Sequence, residues 1–377
     1  MKILIAGDFC PQDRVAKLIE EEKYGEVFSE VLQYTKKADI SIVNLEAPVV
    51  EHDAIGIEKC GRCLKGTAKT VDAIKYAGFN VATLANNHFY DYGEIGVADT
   101  LHACRERGVI TVGGGVNIHD ASQTVYFDVN EKKLAIINCC EHEFSIATEV
   151  TGGSNPLNPI QQYYAIKDAK KKADKVLVIV HGGHEGYQLP SPRMKESYRF
   201  FVDAGTDVVI NCHQHCYSGY EVYNGKPIFY GLGNFCFDRS KCRNNIWNEG
   251  YIVLLNIEDD NISFETIPYI QGNDNAGVCI MDVLNKQKFN SEIIKLNSII
   301  ADDKQLQCTH DKWMKNKSKG YLFALEPYQG RYLSALYFRN LLPSFLNKKK
   351  CYQIMNYINC EAHLDRLIYM LKNKIYD

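Results

Sequence analysis

The 377-residue sequence lacks three features that would place a protein in a membrane, on nucleic acid or in the secretory pathway. No stretch approaches the roughly 20 consecutive apolar residues that a transmembrane helix needs. Lys and Arg number 43 against 46 Asp and Glu, so the net charge of −3 gives no basic footprint for nucleic acid or an anionic membrane. The opening MKILIAGDF has too short an apolar run for a signal peptide and runs into Gly-Asp rather than a cleavage site. We therefore expect a cytoplasmic protein with no membrane segment and no nucleic-acid partner.

Fourteen cysteines would indicate a disulfide framework only in a secreted chain. Because the amino terminus argues against secretion, we expect mostly free thiols. Cys60 and Cys63 form a C-x-x-C pair, which occurs in redox motifs and in zinc sites. No second pair follows at zinc-finger spacing, so ordinary loop cysteines are favoured.

Short β-branched runs alternate with segments of helical length along the first two thirds of the chain. This alternation predicts an α/β protein with a largely buried sheet. Two of the helix candidates end in Ala-Gly just before the next strand, which is the position of a glycine cap. The strand candidates are KILIA, DISIV, NVATL, LAIIN, KVLVIV, DVVIN and PIFYG, and the helix candidates include RVAKLIEEE, TVDAIKYAG, GVADTLHACRERG and MKESYRFFVDAG.

The composition of the sequence changes after about residue 270. YIVLLNIEDDNISFETIPYI predicts a closing pair of strands, and an Asn- and Lys-rich, then aromatic, region follows. We divide the chain into a main domain, 1–270, and a mainly helical extension, 271–377, with a packing or lid role. The extension's apolar residues at near-helical spacing form one face that we expect to dock on the main domain: Ile354, Ile358, Leu364, Leu367, Ile368 and Leu371.

Polar side chains follow the strand candidates one after another. The carboxyl ends of strands in an open α/β sheet border the crevice where ligands bind, so these side chains should converge. Buried carboxylates and imidazoles that meet there need a counter-charge, which one or two divalent metal ions supply. A mixed oxygen and nitrogen set suits Mn²⁺, Fe²⁺ or Zn²⁺. The residues are Asp8, Asn44, Glu46, Asn86, Asn87, His88, His181, His184, Glu185, His213 and His215.

At these residues the chain resembles the CapA family, the capsule or poly-γ-glutamate biosynthesis proteins built on the calcineurin-like metallophosphoesterase fold. The resemblance covers about residues 1–240 and implies a four-layer α/β/β/α sandwich. It also implies a metal-dependent, phosphoesterase-like hydrolase of capsule, exopolysaccharide or poly-γ-glutamate metabolism, which uses a metal-activated water on an anionic small molecule or polymer. The segments that carry it are AGD, ADISIVNLEAPV, AGFNVATLANNHFYDYGEIGVADTL, VGGG, VHGGHE, DAGTDVVINCHQH and NGKPIFYGLGNFCFD.

The resemblance also implies a role for each matching residue. His88 would act as the general acid that protonates the leaving group, and Asp91 would orient its imidazole. Glu46 would bridge two metal ions. The implied ligands are Asp8 and His215 at the first metal, and Asn87, His181 and His213 at the second.

Five further residues are candidates for substrate binding or for support of the ligands. Lys59 and Arg62 would meet an anionic substrate, although exposed basic side chains are commonly just solvated. Glu185 fits the family pattern, and His184 either supports the site or lines only its entrance, while Asn44 is alternatively a turn residue that holds Glu46. The loop EHEF at 141–144 either reaches the crevice or is solvated, and VGGG at 112–115 predicts a tight turn near the site.

Three departures from the pattern keep other functions open. Cys10 stands where many metallophosphoesterases have a histidine, so the first metal site is weakened, altered or able to bind a soft metal through a thiolate. Cys212 replaces a histidine, and Arg62 replaces a common proline. The alternatives to the hydrolase are a non-catalytic accessory or binding protein in polymer biosynthesis and an amide hydrolase acting on poly-γ-glutamate.

Overall fold

The computed structural model describes residues 1–259 and 261–376, with the side chain of Tyr376 left out. The chain forms two compact units, Met1–Gln307 and Cys308–Asp377. The proposed domain division at residue 270 stays a prediction.

The strands of the first unit form two large sheets and one small one. In chain order they are β1 (Lys2–Phe9), β2 (Ile40–Leu45), β3 (Val81–Thr83), β4 (Ile110–Val112), β5 (Gly114–Gly115), β6 (Val125–Val129), β7 (Lys132–Cys140), β8 (Gly153–Ser154), β9 (Lys175–His181), β10 (Val208–Cys212), β11 (Tyr220–Tyr223), β12 (Lys226–Phe229), β13 (Asn234–Cys236), β14 (Glu249–Glu258), β15 (Asn261–Gln271) and β16 (Val278–Ile280). Every strand candidate of the sequence falls on one of them, including the closing pair β14 and β15.

Helices connect many of the strands, and a run of further helices follows the last strand. They are α1 (Asp13–Glu20), α2 (Tyr24–Phe28), α3 (Leu32–Thr35), α4 (Ala68–Tyr76), α5 (Gly93–Glu106), α6 (Ile118–Ala121), α7 (Pro159–Lys172), α8 (Pro192–Ala204), α9 (Val283–Ala301), α10 (Asp303–Phe323), α11 (Arg331–Phe338), α12 (Lys348–Asn359) and α13 (Glu361–Tyr376), with a 3₁₀ helix at Ile246–Asn248. Among the described residues, every helix is too short or too polar to cross a bilayer.

Each of the two large sheets combines a block of parallel strands with antiparallel pairs. The eight-stranded sheet has the order β16-β15-β14-β1-β2-β3-β4, with β13 also paired to β1. Its strands β1 to β4 are parallel, whereas β14, β15 and β16 run antiparallel. The six-stranded sheet has the order β11-β12-β10-β9-β7-β6, with parallel pairing from β12 to β7. The strands of each parallel block have their carboxyl ends on the same side of the sheet.

Alternating side chains place the sheets face to face, with helices outside them. Ile5 of β1 packs in one buried cluster with Ile179 of the second sheet. Leu4, the preceding residue, packs on the opposite face with Val71 of α4 and Val97 of α5. On the far side of the six-stranded sheet, α7 and α8 contact β7, β9 and β10. The four-layer α/β/β/α sandwich is confirmed.

Two helices end at the glycines that the Ala-Gly pattern predicted. Gly78 follows α4 with φ of 87°, and Gly205 follows α8 with φ of 123°. The amide of Phe79 returns to the carbonyl of Ile74 at 3.0 Å, which closes the helix end. A Cβ on Gly78 would lie 2.6 Å from Thr35 Oγ1, so glycine is required here for space as well as for conformation.

The apolar pattern at residues 352–371 falls on two helices rather than one. Cys360 lies between α12 and α13 with an extended backbone, φ −93° and ψ 117°. Its carbonyl accepts a hydrogen bond from the amide of His363 at 3.0 Å, in the first turn of α13. Asn359 and Cys360 are weak helix formers, which accounts for a break at this point. The docking of this face on the main domain stays a prediction.

Asp207 anchors the amino-terminal edge of the six-stranded sheet. Its carboxylate accepts hydrogen bonds from the ammonium groups of Lys170 and Lys226, each at 2.8 Å, and from the amide of Val176 at 2.9 Å. Burial alone would raise the pKa of Asp207, but the two lysines and the Val176 amide together outweigh burial and hold the pKa below its ordinary value.

We expect Asp207→Asn to lower the free energy of unfolding by about 1–3 kcal/mol at pH 7, because both lysines lose their anion. The pKa of Asp207 is lower in the folded protein than in the unfolded chain, where it is about 3.9, so the ionised carboxylate stabilises the folded state above that pH. This contribution disappears as the pH falls through the folded-state pKa. Urea unfolding of the wild type and of Asp207→Asn at pH 7 and pH 3.5 measures this contribution. An equal difference at the two pH values would contradict the ionic role.

Candidate functional site

The predicted ligand residues converge where the strands of both sheets end. Asp8 lies in β1 beside Asn44 of β2 in the strand register. His181 ends β9 beside Cys212 of β10, and His213 follows directly. The side chains of all six predicted metal ligands are buried, and they come from both sheets: Asp8, Glu46, Asn87, His181, His213 and His215.

One cluster of potential ligands contains Glu46, His181 and His213, whose ligand atoms lie within 4.8 Å of one another. His181 Nε2 is 3.7 Å from Glu46 Oε1 and 3.0 Å from His213 Nδ1. Asn87 Oδ1 lies 3.1 Å from the same His181 nitrogen. Three oxygen or nitrogen atoms of the types that bind divalent transition metals therefore lie within 3.7 Å of His181 Nε2, which is itself a potential ligand.

A second cluster contains Asp8, Glu46 and His215, again with ligand atoms within 4.8 Å of one another. His215 Nε2 is 3.7 Å from Glu46 Oε1, while its Nδ1 is 2.8 Å from Asn234 Oδ1. A hydrogen bond at Nδ1 fixes the ring and leaves Nε2 for a metal, as in many metal sites. Glu46 belongs to both clusters, so one carboxylate lies between two groups of ligands.

The surroundings of the Glu46 carboxylate show whether these residues are suited to bind a metal ion. Its side chain is fully buried, and neither carboxylate oxygen accepts a hydrogen bond from any residue that the structure describes. Burial, followed by the nearby Asp8 carboxylate, raises the pKa of Glu46 well above its ordinary value. A buried carboxylate without a partner is costly, and a divalent cation supplies the missing charge and bonds. The donor set fits a metal.

The histidines of both clusters favour the neutral, metal-binding form. Burial, followed by His213, lowers the pKa of His181 well below its ordinary value. Burial also lowers the pKa of His213 and of His215, although nearby carboxylates act in the opposite direction. The cluster therefore presents unprotonated imidazole nitrogens at neutral pH.

His88 lies beside the ligand Asn87 and is held by Asp91. Its Nδ1 is 2.6 Å from Asp91 Oδ2, and its backbone amide donates to Asn86 Oδ1 at 3.1 Å. Asp91 is fully buried and also accepts from the amide of Leu64 at 2.7 Å. The His88 side chain remains 15% exposed, so its ring reaches the cavity.

Lys59 also helps to hold His88 in place, through its contact with Asp91. Its ammonium forms an ion pair with Asp91 and lies 3.3 Å from His88 Nδ1. Only 3% of the Lys59 side chain is exposed, although the pattern assigned it to an anionic substrate. Asp91 therefore lies between a cation and an imidazole, which fixes the position of both.

Hydrogen bonds from neighbouring side chains hold the loop that carries Asn87 and His88. Asn86 Nδ2 donates to the carbonyl of Leu45 at 2.9 Å, so Asn86 holds the turn rather than lining a ligand cluster. The VGGG segment turns beneath this loop, and Gly113 has φ of 84°. A Cβ there would meet the Asn138 side chain, whose Oδ1 accepts from the amide of Ala85 at 2.8 Å.

A cavity of about 600 Å³ opens over the ligand clusters. Its lining carries four basic residues, Lys59, Arg62, Arg239 and Lys241, and Arg62 is exposed. Asp13, Glu143 and Glu185 are the acidic residues of the lining, which also includes Asn87, His88 and His215. Basic and acidic side chains therefore both line this cavity.

The other proposed supporting residues lie in different positions. Asn44 Nδ2 donates to Asp8 Oδ1 at 2.7 Å, so Asn44 holds a ligand rather than the turn alone. Glu185 lines the cavity, whereas His184 is absent from its lining and has its ring centroid 6.3 Å from that of Tyr187.

The EHEF loop, for which the sequence left two alternatives open, reaches the crevice: Glu143 lines the cavity, and its carboxylate accepts from Asn87 Nδ2 at 3.1 Å. Two site residues were missed from the sequence. Asn234, in GLGNFCFD, faces His215, and the Trp247 ring lies 4.6 Å from the His215 ring. No pattern in the sequence pointed to Trp247.

Cys10 is fully buried beside Ala47 and Phe237. Burial, followed by the negative charge of Glu46, raises the pKa of the Cys10 thiol well above its ordinary value. Among the described residues, both ligand clusters form without it. Cys10 therefore lies outside both groups of potential ligands.

Gly7 allows the close contact that positions Asp8. A Cβ on Gly7 would overlap the carbonyl oxygen of Gly233 and lie 3.1 Å from its carbonyl carbon. The next amide, that of Asp8, donates to the same oxygen at 3.3 Å.

We expect Gly7→Ala to destabilise the protein by about 1–3 kcal/mol, because backbone atoms must separate to admit a methyl group. Thermal unfolding measures the loss. Gly320→Ala is the control, since a Cβ at that helical position meets no atom within 4 Å and should stabilise by about 0.5–1 kcal/mol. Equal effects of the two substitutions would contradict the close contact.

Comparisons with known proteins agree on one family. The family model described as "Bacterial capsule synthesis protein PGA_cap" matches residues 2–239. The chain is 31% identical over 303 residues to a protein named "Capsule biosynthesis protein CapA" from Bacillus anthracis, with 78% of this chain and 73% of that protein covered. It is 32% identical to "PGA biosynthesis protein CapA" from Bacillus subtilis, over 63% of each chain.

A third relative is more distant. It is named "Probable polyglutamine synthesis accessory protein" and comes from Mycobacterium tuberculosis; the identity is 28% over 57% of this chain and 59% of the relative. The chain thus matches less than two thirds of the length of the B. subtilis and M. tuberculosis relatives.

Proposed function

We propose that this chain, which belongs to the PGA_cap family of bacterial capsule synthesis proteins, is a metal-dependent hydrolase that acts on phosphoester bonds. The observation that carries the proposal is Glu46, a buried carboxylate with no hydrogen-bond partner among the described residues, shared by two clusters of ligands. Two ligand clusters that share a carboxylate are typical of enzymes that clamp a tetrahedral ester.

Six residues would hold the metal ions. Asp8 and His215 would bind one ion, Asn87, His181 and His213 would bind the other, and Glu46 would bind both. We propose Mn²⁺, Fe²⁺ or Zn²⁺, since the donors are oxygen and nitrogen. When bound, such ions polarise the ester and lower the pKa of water so that it attacks at neutral pH.

The chain itself supplies the proton for the leaving group. His88 would donate a proton from Nε2 to the leaving oxygen, because its Nδ1 faces Asp91 at 2.6 Å. The ion pair of Lys59 with Asp91 keeps this carboxylate, and hence the ring, in place. Burial of Asp91 excludes water from the supporting side of His88.

The basic rim supports an anionic substrate. Arg62, Arg239 and Lys241 line the cavity above the ligand clusters, where they would meet phosphate or carboxylate groups. The names of the relatives refer to capsule and PGA biosynthesis. We therefore propose a role in capsule, exopolysaccharide or poly-γ-glutamate metabolism, with an anionic polymer or its precursor as substrate.

We also propose a cytoplasmic location. All fourteen cysteines are free thiols, the form that a reducing compartment maintains.

A panel of substrates tests the hydrolase. The full chain, loaded with Mn²⁺ or Zn²⁺, is assayed with a phosphomonoester, a phosphodiester and a γ-glutamyl amide. We expect turnover of a phosphoester that chelation abolishes and metal restores. Turnover of the amide alone would support the amide hydrolase instead. No turnover by protein that demonstrably binds metal would contradict both.

The second candidate is a non-catalytic accessory protein, which the name of the mycobacterial relative favours. In that case the crevice would bind a polymer or an assembly partner without reaction. Co-purification of a stoichiometric partner that survives His88→Ala, together with the absence of turnover, would support this role.

A further inference from the structure

The net charge of −3 conceals a strong asymmetry between the two units. Residues 308–377 contain 12 Lys and Arg against 5 Asp and Glu, a net charge of +7. Residues 1–307 contain 31 and 41, a net charge of −10. The carboxy-terminal unit also holds 12 of the chain's 42 aromatic residues, which are enriched at membrane interfaces. The net charge of the whole chain therefore does not describe this unit, which has a basic excess.

Helix α13 carries an apolar face exposed to solvent. Ile368, Leu371 and Ile375 are spaced i, i+3 and i+7 and share one face, with exposures of 44, 55 and 74%. Tyr369 and Met370 are each 66% exposed beside them. Lys372 lies one turn after Ile368, where its long side chain can extend from the edge of this face to a charged surface.

Helix α12 also combines exposed apolar residues with lysines. Tyr352, Met355 and Ile358 are 63, 54 and 52% exposed at i, i+3 and i+6. Three consecutive lysines, residues 348–350, occupy its first turn. The amino terminus of a helix carries partial positive charge, so lysines there cost stability unless an anion approaches.

We propose that residues 308–377 bind the surface of a bilayer that contains anionic lipids. The lysines would meet the headgroups while the apolar faces of α12 and α13 enter the interface, as amphipathic helices do. A second copy of this unit, with a charge of +7, would be repelled rather than bound. A purely anionic polymer would satisfy the lysines but leave the isoleucines, leucine and methionines exposed.

Vesicle sedimentation of the full chain tests this proposal. We expect binding to vesicles of phosphatidylglycerol and phosphatidylcholine, little binding to phosphatidylcholine alone, and a decrease at high salt. The combined substitution Lys348→Gln, Lys349→Gln and Lys350→Gln should weaken binding by roughly 100-fold. The combined substitution Ile368→Ser, Leu371→Ser and Ile375→Ser should also weaken vesicle binding, even though the three lysines are retained.

A matched control replaces three lysines of the first unit, Lys36, Lys286 and Lys288, which are exposed. It changes the net charge equally and should leave binding unchanged, and circular dichroism confirms that each variant is folded. Failure of the wild type to bind anionic vesicles would overturn the proposal. So would equal binding to neutral vesicles, or full binding by either carboxy-terminal variant.

Discussion

His88→Ala is expected to lower the turnover of an alkyl phosphoester such as glycerol phosphate by roughly 10²–10⁴-fold, with metal content unchanged. The reason is that an alkoxide is a poor leaving group and needs a proton in the transition state. With p-nitrophenyl phosphate, whose leaving group departs without protonation, the same substitution should have a much smaller effect. Steady-state kinetics on both substrates measure the difference.

The neighbours of His88 refine this test. Asp91→Asn and Lys59→Met should produce intermediate losses with the same dependence on the leaving group, because both residues act through the position of His88. His142→Ala is the matched control, since His142 is an exposed histidine of the loop after β7. Equal losses on both substrates, or a loss of metal in His88→Ala, would contradict the role of general acid.

Glu46→Gln is expected to abolish the stabilisation of the protein by metal. A ligand at 100 times its dissociation constant stabilises the folded state by about 2.7 kcal/mol, which raises Tm by roughly 5 °C in a unit of this size. Glutamine has the shape of glutamate but cannot supply an anionic oxygen to either cluster. The metal-free variant should be at least as stable as metal-free wild type, because a neutral amide costs less than a carboxylate to bury without a hydrogen-bond partner.

Differential scanning calorimetry with excess Mn²⁺ or with chelator measures both quantities. Glu106→Gln is the control, because Glu106 is exposed at the end of α5, outside both clusters, and the variant should retain the increase in Tm. A metal-dependent increase that persists in Glu46→Gln would contradict the bridging position of this residue. A large loss of stability in metal-free Glu46→Gln would mean that Glu46 has a structural partner.

Much of the fold follows from local pattern. The β-branched runs predicted strands because buried parallel strands are continuously apolar, and β9, KVLVIVH, is buried along its whole length. The polar residues after these strands could be assigned to one site because parallel strands end at a common edge. Asp8, Glu46 and His213 are brought together by this topology although they are far apart in sequence.

What the sequence pattern missed depends on side chains that meet across irregular loops. Lys59 lies in a loop without regular structure, so its ion pair with Asp91 could not be distinguished from a solvated lysine at a substrate cavity. Trp247 packs on His215 from a 3₁₀ helix that follows no periodic pattern. The charge of the carboxy-terminal unit was hidden because the first unit carries an opposite excess.

Metal content per chain, measured by inductively coupled plasma mass spectrometry on full-length protein purified without chelator, tests the metal centre most directly. We expect about two equivalents in the wild type, about one in His213→Ala and in His215→Ala, and none in Glu46→Gln. Wild-type protein that contains no metal and takes up neither Mn²⁺ nor Zn²⁺ would contradict the metal centre. So would a metal content that stays the same in all three variants.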